Sequence, residues 1–129
     1  MIIDSSALVA IVLREPDYLT YIDRLAEARG SRMSAVSLLE TSLVISRLKG
    51  PEGMDVLRQF IADAAIQIVE FSASQAQLAF RAHQRFGKGM GHPAQLNILD
   101  CCTYALAAEA GEPVLFKGSD FDKTDIAIA

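Results

Sequence analysis

Four acidic residues stand where a carboxylate is costly: Asp4, Glu40, Asp100 and Asp120. Asp4 closes the apolar run Met1-Ile2-Ile3. Glu40 follows Val36-Ser37-Leu38-Leu39 and precedes Leu43-Val44-Ile45. Asp100 lies between Leu96-Asn97-Ile98-Leu99 and Cys101-Cys102-Thr103-Tyr104-Ala105-Leu106, and Asp120 closes a turn after Val114-Leu115-Phe116. Charges seldom enter a protein interior unless they are paired or bound to a cation. The same apolar segments hold too few Lys and Arg to pair with all four. Carboxylates gathered from distant parts of a chain suit a hard divalent cation, Mg²⁺ or Mn²⁺. Two such ions can clamp the attacking and leaving oxygens of an in-line phosphoryl displacement.

Each acid also has a plainer reading. Asp4 can cap the next helix, a task that Ser5 or Ser6 can also perform. Ser37-Leu38-Leu39-Glu40 matches a capping box, which fails if the helix begins at Ser34. Asp120 sits in Gly118-Ser119-Asp120, ordinary turn chemistry, with Asp122 and Asp125 as nearby alternatives. Asp100 is the hardest to explain in this way. Its pattern places it mid-helix, where Asp has poor propensity, in a polar strip of Asn97, Asp100, Thr103 and Tyr104.

These residues need elements to hold them. Met1–Ile3 reads as a buried strand and Ser5–Leu13 as a helix. A second helix starts at Glu15-Pro16-Asp17, with Pro in its first turn, and ends at Gly30. Arg32–Ala35 reads as a short strand. Helices follow from Leu38 to Leu48, ending at Gly50-Pro51, and from Met54 to Ala65. Ile66–Phe71 is β-branched and partly alternating, so it reads as a strand. Ser74–Phe86 is a helix capped by Ser72 or Ser74, Gly87–Pro93 a glycine-rich loop, and Leu96–Ala110 a long helix ended by Gly111. Pro113–Phe116 and Ile126–Ile128 are strand candidates. Strands alternating with helices predict an α/β fold whose central parallel sheet is covered on both faces, a three-layer α/β/α sandwich. Ligands of such sheets bind beyond the carboxyl ends of the strands, where Asp4 and Asp120 fall.

Composition narrows the function classes. The 129 residues suit a single domain spanning 1–129, able to bury a core without disulfides or structural zinc. Twelve Lys plus Arg against 16 Asp plus Glu give a net charge of −4, which argues against non-specific coating of DNA. A local basic rim remains open, with Arg85, Lys88 and Lys117 as candidates for contacting a phosphate backbone. Gly87-Lys88-Gly89-Met90-Gly91 lacks the phosphate-loop pattern. The adjacent Cys101 and Cys102 fit neither a mutual disulfide nor a zinc motif, and His83 and His92 read as surface residues. No uncharged run is long enough to span a bilayer, and Asp4 and Arg14 interrupt any secretory leader. The expected setting is a reducing cytoplasm.

Four segments, in order, resemble those of PIN-domain ribonucleases, and within them VapC-type toxins of bacterial toxin–antitoxin pairs. They are Met1-Ile2-Ile3-Asp4-Ser5-Ser6-Ala7-Leu8; Ser34-Ala35-Val36-Ser37-Leu38-Leu39-Glu40-Thr41; Gly91-His92-Pro93-Ala94-Gln95-Leu96-Asn97-Ile98-Leu99-Asp100-Cys101; and Leu115-Phe116-Lys117-Gly118-Ser119-Asp120-Phe121. The resemblance implies a PIN-like fold and a Mg²⁺- or Mn²⁺-dependent endonuclease acting on RNA. It also implies a homodimer inhibited by a cognate antitoxin. Asp4, Glu40 and Asp100 match the family's core acids, and Asp120 a more variable fourth. Ser6 and Ser119 match small polar residues beside the metal, and Asn97 falls in the supporting strip. Two rivals remain at this stage. A phospho-acceptor signalling domain would use Asp4 and Lys117, but the chain offers only Asp55 and Asp63 as acceptors, both in a helical pattern. A catalytically inactive binding module on the same fold is the other.

Overall fold

In the computed structural model, which describes residues 1–129, four short strands form one parallel sheet. These are β1 (Ile2–Ile3), β2 (Arg32–Ser34), β3 (Gln67–Val69) and β4 (Val114–Leu115), in spatial order β3-β2-β1-β4. Register pairs Ile2 with Arg32 on one side and with Val114 on the other. The central strand β1 alternates between the two faces. Ile2 and Val114 pack with the helices α4 (Ala73–Phe86) and α5 (Ile98–Ala110), alongside Ala82, Phe86, Tyr104 and Leu106. Ile3 and Leu115 pack on the other side, with Met33, Leu8, Ile45 and Leu57 from β2, α1 (Ser5–Val12) and α3 (Ala35–Asp63). A sheet covered on both faces needs apolar strands at its centre, and β1 and β4 are wholly apolar, whereas β2 and β3 open with Arg32 and Gln67. The three-layer α/β/α arrangement expected from the sequence is the one found.

β1 lies where the chain changes direction across the sheet: β2 and β3 extend to one side, and the chain then returns to place β4 on the other. Such a switch point opens a crevice beyond the carboxyl ends of the strands. Asp4 follows β1 directly, and α3 begins directly after β2, one and a half turns before Glu40.

Several boundaries differ from the expected ones. α2 (Tyr18–Glu27) starts after Pro16, and Asp17 makes no capping bond because its carboxylate accepts from Lys117 Nζ and Tyr21 Oη instead. The two helices expected around Gly50-Pro51 follow one another as a kinked α3. Gly50 takes φ 61°, ψ −154°, a conformation favoured by glycine, and Pro51 then opens the second half, where its missing N–H costs nothing. Ile66–Phe71 contracts to three strand residues, and Ile126–Ile128 to a single bridge between Ile128 and Val114.

α5 also begins later than its pattern suggested. Asn97 is its N-cap, accepting from the N–H groups of Leu99 and Asp100, both at 2.8 Å, while Asp100 Oδ2 accepts from Asn97 N at 2.8 Å. Asp100 is therefore not mid-helix. It stands in the first turn, where the reciprocal box stabilises the helix start by about 1 kcal/mol. Ser34 caps α3 through Val36 N, so the alternative box between Ser37 and Glu40 does not form and Glu40 is free for other work.

Candidate active site

Asp4, Glu40 and Asp100 come together at the carboxyl edge of the sheet, and each is held by hydrogen-bond donors rather than by a cation. Asp4 is 4% exposed. Its Oδ2 accepts from Ser6 N at 3.0 Å and Ser6 Oγ at 2.6 Å, and its Oδ1 from Thr103 Oγ1 at 2.7 Å. Capping α1 and serving the site are thus not alternatives, because one carboxylate does the first and still faces the acids. Ser6 Oγ in turn accepts from Lys117 N at 2.9 Å, tying the end of β4 to the end of β1. Glu40 Oε2 accepts from Ser5 Oγ at 2.6 Å. Asp100, 8% exposed, uses one oxygen for its helix cap.

The electrostatics show that these groups share one neighbourhood. Burial pushes the Asp100 carboxyl up to about 7; the bond from Asn97 opposes this, and the fields of Asp4, Asp120 and Glu40 add to it. Burial also raises Glu40, opposed by the bond from Ser5 and reinforced by the charge of Asp4. Six salt bridges form in the protein, and none involves these four acids. Asp120 is exposed in its turn and adds to the field at Asp100, whereas Asp125 is engaged by Arg85 at 2.9 Å and by Tyr104 Oη at 2.6 Å. Ser119 is exposed beside Asp120.

The donor chemistry, three or four carboxylates plus hydroxyls, fits a hard divalent cation. As the side chains stand, no three of them enclose a common point closely enough to be a finished ligand set. A cavity of about 620 Å³ lies at the opposite end of the strands, lined by Arg24, Arg29, Arg32, Gln67 and Glu112, and contains none of the four acids.

The basic candidates divide. Lys117 Nζ bonds both Glu15 and Asp17, which raises its pKa, and Arg85 is paired with Asp125 and stacked 4.5 Å over the Phe86 ring. Lys88 is exposed and forms no ion pair. It sits in a loop closed by the Gly87–Leu96 bridge, with Gly89 and Gly91 at positive φ. His92 stays within the loop, accepting from Ala94 N and packing edge-on to Phe86. Cys101 and Cys102 are buried thiols, Cys101 pushed up to about 11 mainly by burial, and so are unreactive.

Ser5 and Ser37 were legible only as helix-capping candidates, and Thr103 only as part of a polar strip. Their bonds to the site span 35, 66 and 99 residues, a separation no local pattern reports.

The model of the PIN domain family matches residues 1–127. The ribonuclease VapC28 of Mycobacterium tuberculosis is 42% identical over 126 residues, covering 98% of this chain and 95% of that protein. This chain belongs to the PIN-domain family. Solved structures agree on the fold. VapC20 of Mycobacterium tuberculosis, described as a Sarcin-Ricin loop cleaving toxin, superposes with a TM-score of 0.81 at 14% identity, covering 99% of this chain and 97% of that one. A toxin–antitoxin complex from Klebsiella pneumoniae contains a chain that superposes with a TM-score of 0.73 at 13% identity, covering 99% and 95%.

Proposed function

We propose that this chain is a metal-dependent endoribonuclease and the toxin of a toxin–antitoxin pair. The observation that carries the reading is the buried pair Asp4 and Asp100 with half-buried Glu40 beside them, mutually repelling carboxylates with no protein cation among them. Burying such a group is costly unless something else neutralises it. Family membership and the VapC ribonucleases among its relatives support the same reading.

Asp4 and Asp100 would be the central ligands of Mg²⁺ or Mn²⁺, with Glu40 direct or through water and Asp120 completing the set. Bound there, the ion would lower the pKa of water and neutralise charge on a phosphodiester during in-line hydrolysis. The protein's own part is positioning. Ser6 and Thr103 fix the plane of Asp4, Ser5 turns Glu40 toward it, and the α5 cap fixes Asp100. The test is incubation of purified protein with mixed RNA in Mn²⁺, Mg²⁺ or EDTA, with the cut ends mapped. Cleavage that is unchanged in EDTA would end the metal-dependent reading, and no cleavage with either ion would favour the inactive module. The phospho-acceptor rival is weakened by Asp55 and Asp63 lying exposed on α3, and by Lys117 being held by Glu15 and Asp17.

RNA would approach past the glycine-rich loop. Lys88→Glu is expected to weaken RNA binding and to flatten the slope of log K against log salt by about 0.7 to 0.9, the contribution of one neutralised phosphate. Unchanged affinity and slope would remove the loop from the binding surface. Arg85 and Lys117 would contact RNA only by loosening their present carboxylate partners.

α3 exposes Leu39 at 60% and Leu43 at 64%, one turn apart, and Ile98 is 72% exposed at the start of α5. Exposed apolar groups on this scale suit an interface, and the reading includes a homodimer and a cognate antitoxin that covers the site. Sedimentation is expected to show a dimer at micromolar concentration; a monomer throughout that range would count against it. Growth arrest on expression, relieved by a neighbouring small gene, would support the antitoxin.

A further inference from the structure

Asp4 has more donors than a helix cap requires, and the extra one comes from deep in the core. Thr103 is 0% exposed on α5, and its hydroxyl meets Asp4 Oδ1 at 2.7 Å across 99 residues of sequence. Behind it, Ser37 Oγ on α3, 1% exposed, lies 3.0 Å from Thr103 Oγ1. Geometry alone leaves the donor in this second bond open. Chemistry decides it, because a threonine hydroxyl has one proton and an ionised carboxylate can only accept. Thr103 gives its proton to Asp4, so Ser37 gives its proton to Thr103. The chain runs in one direction: Ser37 to Thr103 to Asp4. Each donor polarises the next, which strengthens the bond at the carboxylate.

The same counting shows what is left on Asp4. A carboxylate has about four acceptor positions, two on each oxygen. Ser6 N and Ser6 Oγ fill both on Oδ2, and Thr103 fills one on Oδ1. One position on Oδ1 stays open.

We propose that Thr103, driven by Ser37, is a positioning residue for Asp4: it fixes the carboxylate so that the remaining Oδ1 acceptor position stays available to a divalent cation. This inference rests on the metal-dependent reading of the site. Removing the Thr103 bond would free Oδ1 to rotate while keeping every charge in place. The effect should therefore appear in cation affinity before it appears in anything else. Partners that orient metal ligands typically contribute 10- to 100-fold in metal affinity.

The experiment is a titration of the purified wild-type protein with Mn²⁺, followed by the spin resonance of free Mn²⁺. Thr103→Val, Thr103→Ser, Ser37→Ala and Asp4→Asn are titrated beside it. RNA cleavage is measured across the same Mn²⁺ range. Thr103→Val is expected to weaken Mn²⁺ binding by about 10-fold or more and to raise the Mn²⁺ needed for half-maximal cleavage by the same factor, with the maximal rate much less affected. Thr103→Ser should restore affinity to within about threefold, since it keeps the hydroxyl. Ser37→Ala should produce a smaller loss in the same direction. A purely structural role would lower the melting temperature of Thr103→Val without this split. Wild-type Mn²⁺ affinity in Thr103→Val, with binding lost in Asp4→Asn, would overturn the positioning proposal and leave the metal site standing. Wild-type affinity in Asp4→Asn would overturn both. If Thr103→Val does not fold, Ser37→Ala decides, and unchanged Mn²⁺ affinity there overturns the proposal.

Discussion

Asp100→Asn is expected to lower metal-dependent RNA cleavage by at least about 10²-fold while leaving the fold intact, because a catalytic metal is worth several kcal/mol of transition-state stabilisation. The substitution is unusually clean at this position. The structural duty of Asp100 is to accept a hydrogen bond from Asn97 N, and an asparagine side-chain oxygen can accept it equally well. What it loses is the negative charge and one strong metal donor. Circular dichroism and a single cooperative melt would establish that the variant is folded, and gel assays on the same preparation would read the cleavage. Equal rates for wild type and variant, in protein free of contaminating nuclease, would refute the mechanism. Asp4→Asn is a harsher change. Both Asp4 oxygens accept bonds, so an amide there must turn its N–H toward Thr103 or Ser6 and reverse part of the hydroxyl chain. A loss of activity in that variant would mix chemistry with disorder, and Asp100 gives the sharper test.

The contrast between these two acids shows what a linear sequence conveys. Asp4 was legible because it ends an apolar triplet that could only be a buried strand, and the alternation of strands and helices then placed it at the ligand-binding edge. Glu40 was legible once Ser34 was allowed as the helix start. Asp100 was singled out for a reason that only half survives. It is buried among apolar residues, as expected, but it lies in a first turn rather than mid-helix, because Asn97 caps the helix within an apolar run that conceals the boundary. The supporting hydroxyls were the least legible part. Ser5, Ser37 and Thr103 are small residues with several local uses, and their site roles exist only through contacts made by the folded sheet. Lys117 shows the same limit in reverse. It was a candidate for a basic rim contacting a phosphate backbone, yet Glu15 and Asp17, a hundred residues earlier, hold it in an ion-pair cluster.

Asp100→Asn is also expected to melt higher than wild type in EDTA at pH 8, with the gap shrinking toward pH 4.5. An unfolded-chain aspartate titrates near 3.9, whereas burial and the neighbouring acids raise folded Asp100 to about 7. Between those values the folded state holds more protons than the unfolded one, so stability is greatest below about pH 4 and falls as pH rises through 7. Glu40, also raised, acts in the same direction. Asp17, Glu109, Glu112 and Asp125 are lowered by their partners and act oppositely, losing stability as pH falls through their folded values, but both proteins share them and they cancel in the difference. The gap between variant and wild type should widen by roughly 5 °C from pH 4.5 to 8, the order expected when a few kcal/mol are partly screened by solvent. Adding Mn²⁺ at tenfold excess over its dissociation constant should raise wild type by about 1.4 kcal/mol through mass action, and the variant much less. If the variant melts lower at every pH, Asp100 is a structural hydrogen-bonding residue whose ionisation costs the fold little. If Mn²⁺ shifts both proteins equally, the cation binds elsewhere, and the buried acids lose the one partner that would justify their burial.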